Sequence, residues 1–508
     1  MELDSHYPVV IIGAGPVGVT AATLLAQYGV RSVILDRWTG LYPQPRAVHL
    51  DDEVCRILDR LGIAEEFAAV SRPALGLRLL DPDLKVLAEF HRDPGASRHG
   101  YPQANMFDQP ELEGLLRANL KRYPETVLRG DAEVTDLTDV GGGRTRIRFT
   151  DRGDITEHVV DADYVLGCDG ANSLVRKHIG ATMRDFRFEQ RWLVVDVDAD
   201  VDLRQWGGVH QVCNPLRAGT FMQVGPRRYR WEFRLLPGEN AGDFDTLTAL
   251  RPLISPWLDS TGDDDLNLIR VAEYTFRAQV ADRWRRANTF LLGDAAHLTP
   301  PFIGQGLCAG LRDAMNLSWK LAGVLNKSLS AEVLDSYQAE RKPHARGMIA
   351  LALAVGHSMT AGGRVGNTLR SALAPRAHLI PGLSARLLDS QTPALSRSAL
   401  VRKDLRKRFG AERLTGRLCP NAPISTGARL DSVVGRGFSV ITAVEPTARQ
   451  RDLIEGRHAV VHYAEPGTPL ADWLRRGKAK AAIVRPDFTV LSAGDDLAEL
   501  CGVLPSFI

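Results

Sequence analysis

The chain contains no C-x-x-C pair. Its six cysteines, Cys55, Cys168, Cys213, Cys308, Cys419 and Cys501, are scattered over 508 residues, with no histidine cluster at metal-ligand spacing. That argues against a zinc ribbon or a dithiol redox centre, and no bound metal is expected. Reduced, mostly buried thiols of a cytoplasmic protein are the expectation instead. Nor does one sign of charge dominate: 63 Lys and Arg face 61 Asp and Glu, a net of +2. Composition therefore carries no basic footprint for nucleic acid. Long apolar runs are missing as well. Residues 8–30 are apolar, but three glycines interrupt them and no basic region precedes them, so neither a signal peptide nor a membrane anchor is expected. Gly347–Val355 is too short to span a bilayer and reads as one buried face of a helix. No internal repeat or low-complexity segment is present, and the length calls for two or three domains.

What the chain does have begins at residue 9. Val9 to Ile12 is a β-branched run without alternation, as expected of a strand buried on both faces of a parallel sheet. Gly13, Gly15 and Gly18 follow in G-x-G-x-x-G spacing, then a helix rich in Ala and Leu over Thr20 to Tyr28, then a second buried strand, Val33–Leu35, closed by Asp36. The first glycine permits the tight turn, the second lets the backbone approach a pyrophosphate, and the third allows close helix–sheet packing. The helix N-terminus offers unpaired N–H groups and partial positive charge. Asp36 suits a ribose diol. This is a dinucleotide site, and the motif alone does not choose between FAD and NAD.

Two further motifs share that logic. Tyr164–Leu166 reads as a buried strand, followed by Asp169-Gly170 and a segment ending in Ser173 and Arg176; Ser173 as a simple helix cap is the plain alternative. Phe290–Leu292 is another, followed by Gly293-Asp294, the extended Pro300-Pro301 loop and Gly304-Gln305-Gly306 opening a long helix. A carboxylate at a strand end suits a polyol chain, and a glycine-rich helix start suits a developing anion. His297 reads as a packed structural histidine rather than a base. Asp51, Asp52 and Glu53 place acids in a first helical turn, and Arg46 just before them reads equally as a surface partner of Asp51 or Asp52. Gln109 starts another helix, and Gly141-Gly142-Gly143 marks a hairpin.

The three motifs in this order resemble the single-component FAD-dependent aromatic hydroxylases typified by p-hydroxybenzoate hydroxylase and phenol hydroxylase, over about residues 7–345. Residues 300–320 most resemble the 3-(3-hydroxyphenyl)propionate hydroxylases, whose Cys at position 308 replaces the Asn of broader relatives. The resemblance implies an α/β fold: a Rossmann-like FAD-binding domain over 1–395, an inserted mixed-sheet substrate domain mainly within 186–280, and a thioredoxin-like C-terminal domain over 410–508. That tail lacks C-x-x-C, so a structural or homodimer-contact role is expected of it, with 357–395 as a connection. Gly13, Gly15, Gly18 and Asp36 would hold the ADP half of FAD, and Arg46 and Gln109 the flavin linker. Asp169 would serve FAD and the incoming nucleotide, Gly293 and Asp294 the ribityl chain, and Pro301, Gly304 and Gly306 the isoalloxazine. Ala14, Pro16, Arg37 and Val134 complete the expected cofactor contacts.

The reaction so implied consumes NADH or NADPH and O2. The reduced flavin adds oxygen at C4a, and the hydroperoxide passes a hydroxyl to a phenolic ring ortho or para to its own hydroxyl. A hydroxyphenylpropionate-like acid is the expected substrate. Gln211, Met222, Tyr229, Trp231 and Arg234 are the candidates to face it, with Arg234 or Arg228 as carboxylate partner; no side chain is assigned a catalytic step. Other readings are a monooxygenase of polyketide-type or other aromatic natural products and a flavin-binding protein without turnover. A nicotinamide-only dehydrogenase leaves Gly293–Gly306 unexplained, and the W-x-W-x-I-P signature of flavin halogenases is absent.

Overall fold

Val9, Val10, Ile11 and Ile12 are buried because the strand His6–Ile12 has parallel neighbours on both sides, Ser32–Leu35 and Glu157–Gly167. Thr126–Arg129 extends the sheet beyond the former and Thr289–Leu291 beyond the latter, all parallel. Helices cover such a sheet on both faces, so apolar runs replace alternation. The computed structural model describes residues 3–41, 47–214, 216–259, 261–360, 392–402 and 413–507; Arg46 and most of the 357–395 connection lie outside them. The first helix spans Pro16–Ala26, starting earlier than the Ala/Leu pattern suggested because proline is tolerated in a first turn. The expected hairpin forms: Ala132–Gly141 pairs antiparallel with Arg144–Asp151, which also flanks Glu157–Gly167.

Parallel alignment has one consequence for the site. The C-terminal ends of His6–Ile12, Glu157–Gly167 and Thr289–Leu291 lie side by side, so Gly13–Gly18, Asp169–Arg176 and Gly293–Gly306 leave the sheet along one edge. Open α/β sheets place ligands in the crevice at that edge.

A second, mixed sheet runs in the order His297–Leu298, Leu266–Ala281, Met183–Ala199, Arg228–Arg234, Gly219–Gln223, Val209–Val212, Gly76–Leu80, Val86–His91. Side chains alternate across it. Leu193, Val195, Val197, Phe221, Tyr229, Trp231 and Phe233 point to one face, where they form a core with Leu250, Ile254 and Trp257. The opposite face carries Trp192, Val194, Asp196, Thr220, Met222, Arg230 and Glu232, aligned across strands as Val194–Glu232–Thr220 and Asp196–Arg230–Met222.

A third sheet, near the C-terminus, comprises Ser439–Thr442, Val460–Tyr463, Ala481–Val484 and Val490–Gly494. The first two pair parallel and the rest antiparallel, in spatial order second, first, third, fourth. A fully buried ion network joins this unit to the rest. Glu340, on the helix Asp335–Thr360, accepts from Lys320 at 2.8 Å and from both Arg485 terminal nitrogens at 3.0 Å, and Asn316 donates to it at 2.9 Å. No helix among the described residues is long and apolar enough to cross a membrane.

Candidate active site

The glycine loop is built by exclusion. A Cβ on Gly13 would sit 2.3 Å from the Cys168 carbonyl oxygen, and one on Gly18 would sit 2.0 Å from that of Gly13. Gly15 meets nothing within 4 Å. Its helix, Pro16–Ala26, has no side-chain N-cap and no acid in its first turn, which leaves the helix start open to an anion. Ala14 N–H and Trp38 N–H donate to the two oxygens of Asp36 at 2.5 and 2.7 Å. The Asp36 carbonyl accepts from Ala132 N–H, at the start of the strand bearing half-buried Val134, while Arg37 is exposed. Gln109 Oε1 accepts from Ala47 N–H at 2.7 Å and its Nε2 donates to Glu113 at 2.7 Å. This fixes the Gln109 amide at the start of its helix, Gln109–Leu120.

The other motifs interlock. Asp169 accepts from Ser173 Oγ at 2.6 Å and Val175 N–H at 3.1 Å; Ser173 in turn caps Arg176 N–H at 2.9 Å. Burial raises the Asp169 pKa. Arg176 donates to the Ala295 carbonyl at 3.0 Å, tying the second motif to the third. Gly293 N–H donates to Asp313 at 3.1 Å, His297 Nε2 lies 2.9 Å from the same oxygen, and Arg341 holds the other oxygen at 2.8 Å. His297 is thus structural, as expected. Half-buried Asp294 follows Gly293, and the turn Pro301–Ile303 ends at Gly304, whose carbonyl lies 3.4 Å from His49 Nδ1. The helix Gly306–Leu325 also starts with neither a side-chain cap nor an acid in its first turn, and Gly306 faces open space.

Sequence reasoning missed the network beneath that helix start. Arg312 donates to Asp51 at 2.5 Å, to Glu53 at 2.8 Å and to Gln305 Oε1 at 2.9 Å, and Gln305 Nε2 donates to Asp51 at 2.8 Å. Asp51 still caps its own helix through Val54 N–H at 3.0 Å. The acids thus do more than meet a helix dipole: Asp51 and Glu53 bind the start of the helix Asp52–Leu61 to the helix Gly306–Leu325. Asp52 between them is buried too, and burial, then the neighbouring Asp51 charge, pushes its carboxyl up to about 7.

On the second sheet the candidates divide by parity. Met222 packs with Ala74, Ala104, Met106 and Val224 against Val48. Gln211 Nε2 donates to the Gly219 carbonyl at 3.0 Å and its Oε1 accepts from Thr220 at 3.1 Å. Trp192, on this same face, meets the Phe302 ring of the third motif edge-on, 6.3 Å between centroids. This is the face that looks toward the motifs. Tyr229 and Trp231 do not share this face: their odd register position sends their rings into the core on the far side. The alternation Tyr-Arg-Trp-Glu-Phe-Arg over 229–234 carried that signal, since an aromatic stripe at period two is first a core face. Arg234 shares the parity of the near face but lies at the strand end, donating to the Leu216 carbonyl at 2.9 Å. Arg228 pairs with Asp108 at 3.4 Å.

The donor set suits FAD: two uncapped, acid-free helix starts for anionic groups, with a carboxylate at one strand end and a half-buried one at another. A family model described as "FAD binding domain" matches residues 6–352. A probable NADH-specific resorcinol 4-hydroxylase of Rhodococcus jostii (strain RHA1) is 32% identical, covering 98% of this chain and 94% of that protein. A 3-(3-hydroxy-phenyl)propionate/3-hydroxycinnamic acid hydroxylase of Burkholderia cenocepacia (strain HI2424) is also 32% identical, over 98% and 96%. Among solved structures, aklavinone-11 hydroxylase in complex with FAD and aklavinone matches with a TM-score of 0.81, 25% identity and 99% coverage of both chains.

Proposed function

Because this chain belongs to the FAD-binding domain family, we propose that it is an FAD-dependent monooxygenase that adds one hydroxyl to a phenolic ring, consuming NADH or NADPH and O2. The observation that carries the proposal is the convergence of three motifs at three adjacent parallel strand ends, with the second sheet meeting the third motif through Trp192 and Phe302. When bound, FAD supplies the electron transfer and oxygen activation. The chain's own residues do the rest. The Gly13–Gly18 loop and Asp36 bind the ADP half, with Arg37 and Val134 at its edge. Gln109 with Arg46 positions the linker, and Asp169 and Asp294 orient the remainder. The Gly306 helix start favours negative charge near it. Met222, Gln211 and Val48 exclude water from the ring.

The substrate we propose is a phenol with a short carboxylated side chain, hydroxylated ortho or para to its hydroxyl, as the Burkholderia relative's name suggests. NADH is the first donor to try, given the Rhodococcus relative's name. Likeness to aklavinone-11 hydroxylase favours a larger aromatic natural product as the second reading. A cytoplasmic homodimer completes the proposal, supported by six free thiols among the described residues and an edge strand, Val460–Tyr463, for a second copy. Sedimentation tests the dimer. Mixing protein, NADH and oxygen with 3-(3-hydroxyphenyl)propionate or resorcinol should yield a product one oxygen heavier, labelled from dioxygen. Absence of oxygen insertion into every phenol of a broad panel refutes the reading.

A further inference from the structure

Glu232 is more than nine-tenths buried, at 8% exposure, yet its carboxylate makes no hydrogen bond among the described residues. Unlike Trp231 Nε1 and His210 Nε2, which are sealed without a partner, its carboxylate oxygens keep an opening. Their direction follows from register. Glu232 lies between Val194 and Thr220 on the near face of the substrate sheet. One row to one side is Trp192, which touches Phe302 of the flavin loop; one row to the other is Met222, which packs on Met106 and Val48. Glu232 therefore stands in the middle of the wall that faces the cofactor crevice.

A structural carboxylate here would pair with Arg230, two residues along the same face. That pairing is taken. Asp196 accepts from Arg230 at 2.6 and 3.0 Å and from Arg270 at 3.1 and 2.5 Å. A buried carboxylate without a bonded partner is costly, and such groups in clefts mark functional positions. Burial raises its pKa, opposed by Arg230 and Arg270 and reinforced by Asp196, which moves an acid toward the range useful to a base. Its remaining near neighbours in the row, Val194 and Thr220, carry no charge.

We propose that Glu232 is the general base of the hydroxylation, accepting the proton of the phenol hydroxyl. This rests on the hydroxylase reading above. The phenol O–H bond breaks, its proton passes to the Glu232 carboxylate, and the electron pair left on oxygen enriches the ortho and para carbons. One of these takes a hydroxyl whose oxygen comes from O2, NADH supplying the two electrons that send the other oxygen atom to water. The attacked carbon then loses its C–H proton to solvent water, and Glu232 returns its own to the phenol oxygen, restoring the ring.

The test compares wild-type holoenzyme with Glu232→Gln and Glu232→Asp, each first checked for FAD content and melting temperature. Ultraviolet difference spectra with 3-(3-hydroxyphenyl)propionate or resorcinol, without NADH, report the protonation of the bound phenol. Wild type should develop the phenolate band well below the pH at which the free phenol ionises. Glu232→Gln should lose that band, keep FAD, oxidise NADH to peroxide, and form hydroxylated product 10²–10⁴-fold more slowly; Glu232→Asp should recover part of both signals. A Glu232→Gln enzyme with an unchanged phenolate band or near-wild-type product formation overturns the proposal. If that variant does not fold, a wild-type phenol that binds neutral throughout the accessible pH range overturns it equally. A wild type that binds phenolate but inserts no oxygen sinks the hydroxylase reading while leaving Glu232's role as proton acceptor standing.

Discussion

Asp52 should make this protein less stable as pH rises from about 4 toward neutrality, and Asp52→Asn should remove that loss. The side chain is 4% exposed; its Oδ2 accepts from Ser97 Oγ at 2.6 Å while Oδ1 has no partner. Burial, then Asp51, raises its pKa from 3.8 to about 7. Because the folded value exceeds the unfolded one, the folded state binds the extra proton. The associated stability is fully present below about 3.8 and is lost as pH rises to about 7. At about 1.36 kcal/mol per unit the full effect is about 4 kcal/mol, and asparagine can still accept from Ser97 through its amide oxygen. Melting curves of both proteins across pH 4.5–8 isolate the term as mutant minus wild type. The difference should grow from about 1 kcal/mol at pH 4.5 to about 2–4 kcal/mol at pH 8, in favour of asparagine. A pH-independent difference, or a less stable mutant at pH 8, refutes the reasoning.

Gly15→Ala should leave the fold intact, since nothing lies within 4 Å of the new methyl, yet weaken FAD. Gly18→Ala, 2.0 Å from the Gly13 carbonyl oxygen, should prevent the loop from forming and give a colourless or insoluble protein; flavin content per folded chain separates the two. Asp36→Ala and Asp294→Ala should each lower FAD affinity by about 1.5–3 kcal/mol, but only Asp294→Ala should slow turnover per bound FAD, and equal turnover in both contradicts our placement. Glu340→Gln should cost about 3–5 kcal/mol, because it leaves Lys320 and Arg485 charged at zero exposure; an unchanged melting temperature would show that this network contributes nothing.

The dinucleotide unit was legible in the chain because its parts are contiguous. A buried strand, three glycines, a helix and a terminal acid lie within Val9–Asp36, and each is dictated by local backbone geometry. The other two strand-end motifs were legible for the same reason, as was His297 as a structural residue. What joins them was not. Asp51 meets Arg312 across 261 positions and Gln305 across 254, and nothing local in either segment names the other. The candidate substrate residues are a different case: a period of two leaves two faces to a strand, and only the core around Phe221 and Trp257 says which one is turned away from the flavin loop. Tyr229 and Trp231 went to the core because burying aromatic area there stabilises the sheet. Their neighbour Glu232 was left facing the site because its register, not its identity, decides what it meets.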